Sequence, residues 1–486
     1  MRKLLEYFSK YWLAQWLFIA FFFIHGFSIY LDWLKTPSVA IYFIAAMIIT
    51  GICQIVLTRF LHSSIKASVA LCLAIWLVMY FNFNHSVFIK ITHIRFSSVY
   101  MLGIIALIFW ISVIYIKKKQ EAQLQKIASY LNLLFLILIL VDTGKIVYME
   151  ITRKPPITYA KGNEVSIKHK IPQDSLPDIY LIVLDEHMST EGMKDHFQFD
   201  NTELDSFLTD EGFYIANNSK SNYSQTVFSI ASALQMNYFH ALTKVTFPDD
   251  NPLGIAAMKN NTLITILEKY GYNIRNYSLF DFTNHPTKHF KFFEHSAFHF
   301  YFSQSLINQI NIAYETLNSQ RHAKQLYQLI DDALTPANKE TQPRFTYLHL
   351  VLPHHPFVFR EDGNIRPAKL YHSKKDPDYV KNYLQQVAYT RQVIRDMVTT
   401  INKSNRKKIV VLEGDHGLRL PKFNRGNWYE AYQKAGGPYK NLNAYYFYDK
   451  NYTQLYDSIS PVNSFRVISN QYLGATCKLL PDTQLF

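Results

Sequence analysis

Five apolar stretches crowd into the first 150 residues, and they constrain this chain more than any other feature. They run approximately over 12–31, 38–58, 67–83, 99–116 and 128–148. A hydrocarbon core about 30 Å thick takes roughly 20 apolar residues in a helix. The first stretch, Trp12 to Leu31, carries no Asp, Glu, Lys or Arg. One long core helix of a soluble protein can mimic a single span, but not five in succession. A cleaved leader is a poor reading, because four more stretches follow and no small-residue cleavage site is evident. The pattern predicts a transmembrane domain of five helices over 1–149.

Basic residues orient it. Arg2, Lys3, Lys10, Arg59, Lys66, Lys117, Lys118, Lys119 and Lys126 fall on one side; Lys35, Lys90 and Arg95 fall on the other. The richer side is cytoplasmic by the positive-inside rule. Five spans then place the rest of the chain outside. The charge of +13 hides a split. Residues 1–150 hold only Glu6, Asp32, Glu121, Asp142 and Glu150 as acids, out of 37 in the chain. With Cys53, Cys72 and Cys477 as its only cysteines, the chain has neither a disulfide framework nor a cysteine-rich metal cluster. The back part has no concentrated basic stripe, which argues against nucleic acid as a partner.

Residues 150–177 read as a linker. Thr152-Arg153-Lys154-Pro155-Pro156 resists helix continuation. Lys161, Lys168 and Lys170 make the segment basic, as suits either an anionic lipid surface or a solvated tether. From 178 to 486 the pattern changes to short buried strands and longer helices. Ile179–Leu184, Phe345–Val351 and Ile409–Leu412 are continuous runs rich in strand formers. Between them lie helical patterns at 262–270, closed by Gly271, and from about 377 to 402. This alternation predicts an α/β domain with a mostly parallel central sheet.

In open α/β sheets, ligands collect beyond the carboxyl ends of the strands. Asp185, Glu186 and His187 follow the first run; Glu413, Gly414, Asp415, His416 and Gly417 follow the last. Asp185, Glu186, Asp415 and His416 are suitable ligands for zinc or manganese. Asp185 and Glu186 are equally suitable as helix caps. Gly414 and Gly417 would permit tight backbone turns. Thr226 and Ser229 lie in a hydroxyl-rich stretch that opens a weak helical pattern, where a hydroxyl beside a metal is a candidate nucleophile and where caps are also normal. His349, His354 and His355 cluster beside a strand end, where they could protonate a leaving group or contact a substrate oxyanion.

Together these segments resemble the alkaline phosphatase superfamily in its sulfatase-like branch. They look most like membrane-anchored transferases such as lipoteichoic acid synthases and phosphoethanolamine transferases. The marks, in order, are Asp185-Glu186, Thr226 with Ser229, His354 ahead of Pro356-Phe357, Gly414-Asp415-His416-Gly417, and Ser460 to Arg466. The resemblance implies Thr226 as nucleophile and His354 as a phosphate contact. It also implies a divalent cation on Glu186, Asp415 and His416 that binds the Thr226 oxygen as well, with Asp185 as a possible further ligand. His349 and His355 stand as substrate contacts.

One departure matters. Formylglycine sulfatases need Cys or Ser in a Cys/Ser-x-Pro-x-Arg setting. Here the aligned residues are Thr226, Phe228 and Ile230, so sulfate-ester hydrolysis by that route is not expected. The implied reaction is transfer of phosphoglycerol or phosphoethanolamine from a membrane phospholipid to a glycan or lipid A-like acceptor, through a phospho-threonine. It implies a bacterial-type inner membrane with the catalytic domain on the periplasmic side. Hydrolysis by water and a non-catalytic lipid-sensing role are the alternatives.

Overall fold

The structure is a computed structural model that describes residues 13–29, 36–94, 98–152, 165–239, 251–288, 301–310, 319–335, 341–366, 378–420 and 427–485. The chain divides into two compact units. One comprises Met1–Pro155 and Phe293–Glu315, the other Pro156–Phe292 and Thr316–Phe486. The expected linker falls mainly on 153–164, outside the described residues.

The first unit is helical: α1 (Ala14–Ile29), α2 (Thr36–Leu61), α3 (Ser64–Met79), α4 (Phe81–Thr92), α5 (Ser98–Lys118) and α6 (Glu121–Ile151). Among the described residues, three helices are long and apolar enough to cross a membrane: Val39–Leu61, Val99–Lys118 and Glu121–Ile151. The pair α3–α4, bent by 80°, makes a fourth if it is counted as one broken span. Against the five expected spans, the described residues thus show three or four of full length, and α1, at the first expected stretch, is a shorter apolar helix of 16 residues. The third expected stretch breaks at Tyr80, where the following carboxamides take other partners. Asn84 accepts from Trp76 Nε1 at 3.1 Å, and Asn82 Nδ2 donates to the Ser303 carbonyl at 3.0 Å. On α2, Ile41, Ile44, Ile48, Ile52 and Ile55 are exposed at helical spacing, a lipid-facing stripe.

Two features of this unit are not apolar packing. The buried Asp142 carboxylate of α6 accepts from the Ser28 hydroxyl at 3.2 Å and lies 3.0 Å from His25 Nδ1. Residues 301–310 also join the unit. Tyr301 donates to the Phe23 carbonyl at 2.8 Å, and its ring covers Gly26, where a Cβ would lie 2.3 Å from the ring.

Among the described residues, the second unit has eight strands: β1 (Ser166–Ile167), β2 (Asp178–Leu184), β3 (Tyr214–Ile215), β4 (Asn273–Tyr277), β5 (Arg344–Leu350), β6 (Lys408–Gly414), β7 (Asn443–Phe447) and β8 (Ala475–Thr476). Six of them form one sheet in the order β3-β7-β6-β2-β5-β4. The four strands β6, β2, β5 and β4 run parallel, and β7 and β3 add antiparallel pairings at one edge. The sheet is thus mixed, with the expected parallel centre.

Alternate residues of the central strands feed two cores, which is why their sequences read as continuous apolar runs. Ile179, Leu181, Val183, Ile409 and Val411 face one core with α9 (Thr226–Gln235), α11 (Thr262–Lys269) and α15 (Pro461–Tyr472). Tyr180, Ile182, Leu184, Val410 and Leu412 face the other with α8 (Thr202–Asp210), α12 (Ser319–Leu334) and α13 (Tyr379–Asn402). The unit's remaining helices are α7 (Thr190–Phe197), α10 (Asn251–Lys259) and α14 (Asn427–Lys434). Gly271, at φ +74°, ends α11 as expected.

Candidate active site

Strand register assembles the site. Leu184 pairs with both Leu350 and Gly414, so β2, β5 and β6 end level with one another. Asp185, Val351 and Asp415 therefore leave the sheet side by side. Asp185 N–H donates to the Leu350 carbonyl at 3.0 Å, and Glu186 N–H donates to Asp415 Oδ1 at 2.9 Å. Asp415 Oδ1 also accepts its neighbour's amide, His416 N–H, at 2.9 Å. One carboxylate oxygen of Asp415 is thus fixed by main chain. The other, Oδ2, is buried without a hydrogen bond, as is Asp185 Oδ1.

The glycines around Asp415 serve close approach rather than turning. Neither has positive φ. A Cβ on Gly414 would lie 2.1 Å from the His187 carbonyl oxygen, and one on Gly417 would lie 2.3 Å from the Gly437 carbonyl oxygen. The left-handed residue at the site is Glu186, at φ +62°.

Thr226 opens α9, and Ser229, one turn on, ties this helix to β6 by donating to the Asp415 carbonyl. That contact brings Thr226 Oγ1 to 3.2 Å from His416 Nε2. His416 Nδ1 lies 2.8 Å from the Gly417 carbonyl, an acceptor only, so Nδ1 carries the proton and Nε2 presents a lone pair. Burial, helped by the Arg419 charge, lowers the His416 pKa to about 4, so the ring is neutral near pH 7. The same Nε2 lies 3.2 Å from Asp415 Oδ2.

His349 joins the acids rather than the substrate side. It is fully buried, with Nε2 3.8 Å from Asp185 Oδ2 and Nδ1 3.0 Å from the Tyr347 hydroxyl. Asp185, His349 and Asp415 offer three ligand atoms within 4.8 Å of one another. Their unsatisfied buried oxygens and nitrogen are what a cation site leaves when only protein atoms are counted. Carboxylate and imidazole donors fit zinc or manganese. In both histidines the far ring nitrogen is held by an oxygen, as metal-bound imidazoles usually are.

His354 comes from the loop after β5. Its Nδ1 is bonded to the His355 carbonyl, and its Nε2 is 3.8 Å from Glu186 Oε1. Burial opposes its protonation, but the Asp185 and Glu186 carboxylates outweigh that and raise its pKa. For Asp185 burial likewise opposes ionisation, and the neighbouring histidines prevail and hold its pKa low. His355 is half-buried and stacks on Tyr379 at 6.1 Å.

Sequence reasoning missed Arg419, whose Nε donates to Glu186 Oε1 at 3.0 Å. Its position three residues after His416 was the available signal.

The site is thus a strand-end cluster of acids and imidazoles facing a hydroxyl at a helix N-terminus of a mixed α/β domain. The family model described as Sulfatase matches residues 178–466, more than half of the chain, and the chain belongs to that family. Among solved structures it is similar to lipooligosaccharide phosphoethanolamine transferase A (EptA) from Neisseria meningitidis, at 13% identity and a TM-score of 0.40, covering 99% of this chain and 96% of that one. It is similar to the C-terminal periplasmic domain of EcEptC from Escherichia coli, at 15% identity and a TM-score of 0.38, covering 66% and 87%. The phosphonate monoester hydrolase of Agrobacterium radiobacter is similar at 11% identity and a TM-score of 0.37, covering 62% and 74%. No curated protein matches the chain.

Proposed function

We propose that this chain is a membrane-anchored, metal-dependent phosphotransferase of the sulfatase family with Thr226 as its nucleophile. It moves a phosphoglycerol or phosphoethanolamine group from a membrane phospholipid to a glycan or lipid acceptor. The observation that carries this reading is the 3.2 Å separation of Thr226 Oγ1 from His416 Nε2, beside acid oxygens that lack partners.

Asp185, His349, Asp415 and His416 would hold a zinc or manganese ion. When bound, the ion supplies Lewis-acid polarisation of phosphoryl oxygens and favours the ionised hydroxyl. The chain's own groups do the rest. Ser229 fixes the helix that carries Thr226. The neutral His416 ring offers a lone pair on the Thr226 side and no proton to compete for it. Thr226 loses its hydroxyl proton to solvent, and its Oγ1 bonds to phosphorus as the ester bond to the diacylglycerol oxygen breaks; His354 Nε2–H gives its proton to that departing oxygen. An acceptor hydroxyl then bonds to phosphorus and passes its proton to the now neutral His354 Nε2, while the bond to Thr226 Oγ1 breaks and that oxygen regains a proton from solvent. Electrostatic stabilisation of this kind is most of what phosphoryl transfer requires.

The long apolar helices of the first unit would hold the enzyme in a bacterial-type inner membrane, with the catalytic domain in the periplasm. Mass spectrometry of the Thr226 peptide, from protein incubated with phospholipid vesicles, tests the reading. A phosphoglycerol or phosphoethanolamine adduct supports it, and turnover without any Thr226 adduct in wild type and in an acceptor-starved sample sinks it.

A further inference from the structure

Glu186 counts as a cation ligand by resemblance, yet its surroundings suit a different task. Left-handed backbone is unfavourable for a residue with a side chain. Here that conformation is held from both ends. Glu186 N–H donates to Asp415 Oδ1, and the Tyr383 hydroxyl donates to the Glu186 carbonyl at 2.8 Å. The fixed backbone sets the side chain, whose Oε1 accepts from Arg419 Nε at 3.0 Å and lies 3.8 Å from His354 Nε2. The compact ligand group of Asp185, His349 and Asp415 forms without Glu186.

The Arg419 side chain is 39% exposed, while that of Glu186 is 2% exposed. Nε is engaged by Glu186, and neither Nη atom makes a hydrogen bond among the described residues. A guanidinium pinned through Nε has lost much of its rotamer freedom and keeps its Nη donors for another oxyanion. This is how an anion site is preorganised beside a cation site.

We propose that Arg419 grips the non-bridging oxygens of the transferred phosphoryl group, and that Glu186 is its positioning residue rather than a cation ligand. This rests on the phosphoryl-transfer reading above. The chemistry recognised is a tetrahedral oxyanion, carried either by a phosphodiester headgroup or by free phosphate.

The test uses full-length, zinc-loaded protein in detergent. Glu186→Gln, Arg419→Ala, Arg419→Lys and the Glu186→Gln/Arg419→Ala double variant are compared with wild type. Elemental analysis reads bound metal. Calorimetry reads binding of inorganic phosphate and, separately, of glycerophosphoethanolamine as a soluble phosphodiester. All variants should retain wild-type metal. Arg419→Ala should lower affinity for one or both anions by about tenfold or more, on the order of 1.4 kcal/mol. Glu186→Gln should weaken binding several-fold, and the double variant should be no worse than Arg419→Ala, as expected when one residue acts through the other. Arg419→Lys keeps the charge without the fork, should fall in between, and serves where the alanine variant does not fold. The anion that loses more identifies the source. Metal loss from Glu186→Gln overturns the positioning role, and unchanged affinity for both anions in Arg419→Ala overturns the anion role. Thr226→Ala protein, carried alongside, should still bind anion through Arg419 even if Thr226 is not the nucleophile.

Discussion

Thr226 Oγ1 stands 3.2 Å from His416 Nε2 across 190 residues of sequence. Removing that hydroxyl leaves the helix anchor at Ser229 intact, so Thr226→Ala should fold normally. Turnover should drop at least a thousandfold, as on losing a covalent nucleophile, roughly 4 kcal/mol or more. Thr226→Ser should keep measurable activity. Equal rates for wild type and Thr226→Ala in a lipid-headgroup release assay would remove Thr226 from the mechanism.

Asp415→Asn separates cation binding from folding. An amide oxygen can keep the two main-chain bonds that Oδ1 accepts, while the amide nitrogen replaces the unpartnered Oδ2. Burial and then the Asp185 charge push the Asp415 pKa up, so the carboxylate is a liability until a cation neutralises it. Bound zinc should fall below a tenth of wild type, on the order of 1.4 kcal/mol or more of affinity. The apparent Tm in chelator should rise above that of chelated wild type. Full metal occupancy in the variant contradicts the ligand assignment.

Arg466 is fully buried and holds two carbonyls, donating through Nε to Met236 at 2.7 Å and through Nη1 to Lys478 at 2.6 Å. Met236 is the left-handed cap of α9, so this arginine braces the far end of the helix that Thr226 opens. Arg466→Met fills the volume but orphans both carbonyls, at about 1–3 kcal/mol each. Chemical denaturation should show the loss, and an unchanged midpoint would mean the carbonyls find other donors.

Asp205 gives a pH signature of its own. Burial, with a smaller push from Asp200, raises its pKa to about 6 against the pull of the Thr190 hydroxyl. The folded state therefore binds this proton more tightly than the unfolded chain does. The benefit is complete below the unfolded value and is lost as pH rises through about 6. Asp205→Asn should raise the apparent Tm by a few degrees at about pH 8 and change it little at about pH 4. An equal shift at both would rule out titration as the cause.

Gly26 in the apolar helix α1 is required by Tyr301. Gly26→Val should displace the Tyr301 ring and destabilise the helical unit by about 1–3 kcal/mol. Adding Tyr301→Ala should recover part of that loss. A thermal scan of both variants in detergent decides, and a double variant no better than the single places the strain elsewhere.

Much of the catalytic domain was readable in the sequence. Continuous runs at 179–184 and 409–412 mark strands buried on both faces because each side of the sheet carries helices. The residues just after such runs must emerge at the sheet's carboxyl edge, so Asp185 and Asp415 could be placed together from the sequence alone. Other features depend on non-local geometry. The bend at Tyr80 depends on carboxamide partners as distant as Ser303. His349 lies in the expected strand run and groups in sequence with 354 and 355 as a substrate contact, but strand pairing with Val183 turns it into the acid cluster. Arg419 and Glu186 declare themselves only as a contact.

The inclusion of Phe293–Glu315 in the helical unit has a practical corollary. A protease that nicks the polypeptide near residue 160 should sever the covalent tie yet fail to liberate the enzyme half, because Tyr301 and Phe302 remain lodged among the aromatic rings of α1. Efforts to express the later residues alone would carry those two rings into water as an adhesive patch, and trimming or polar replacement there is the route to a well-behaved soluble fragment.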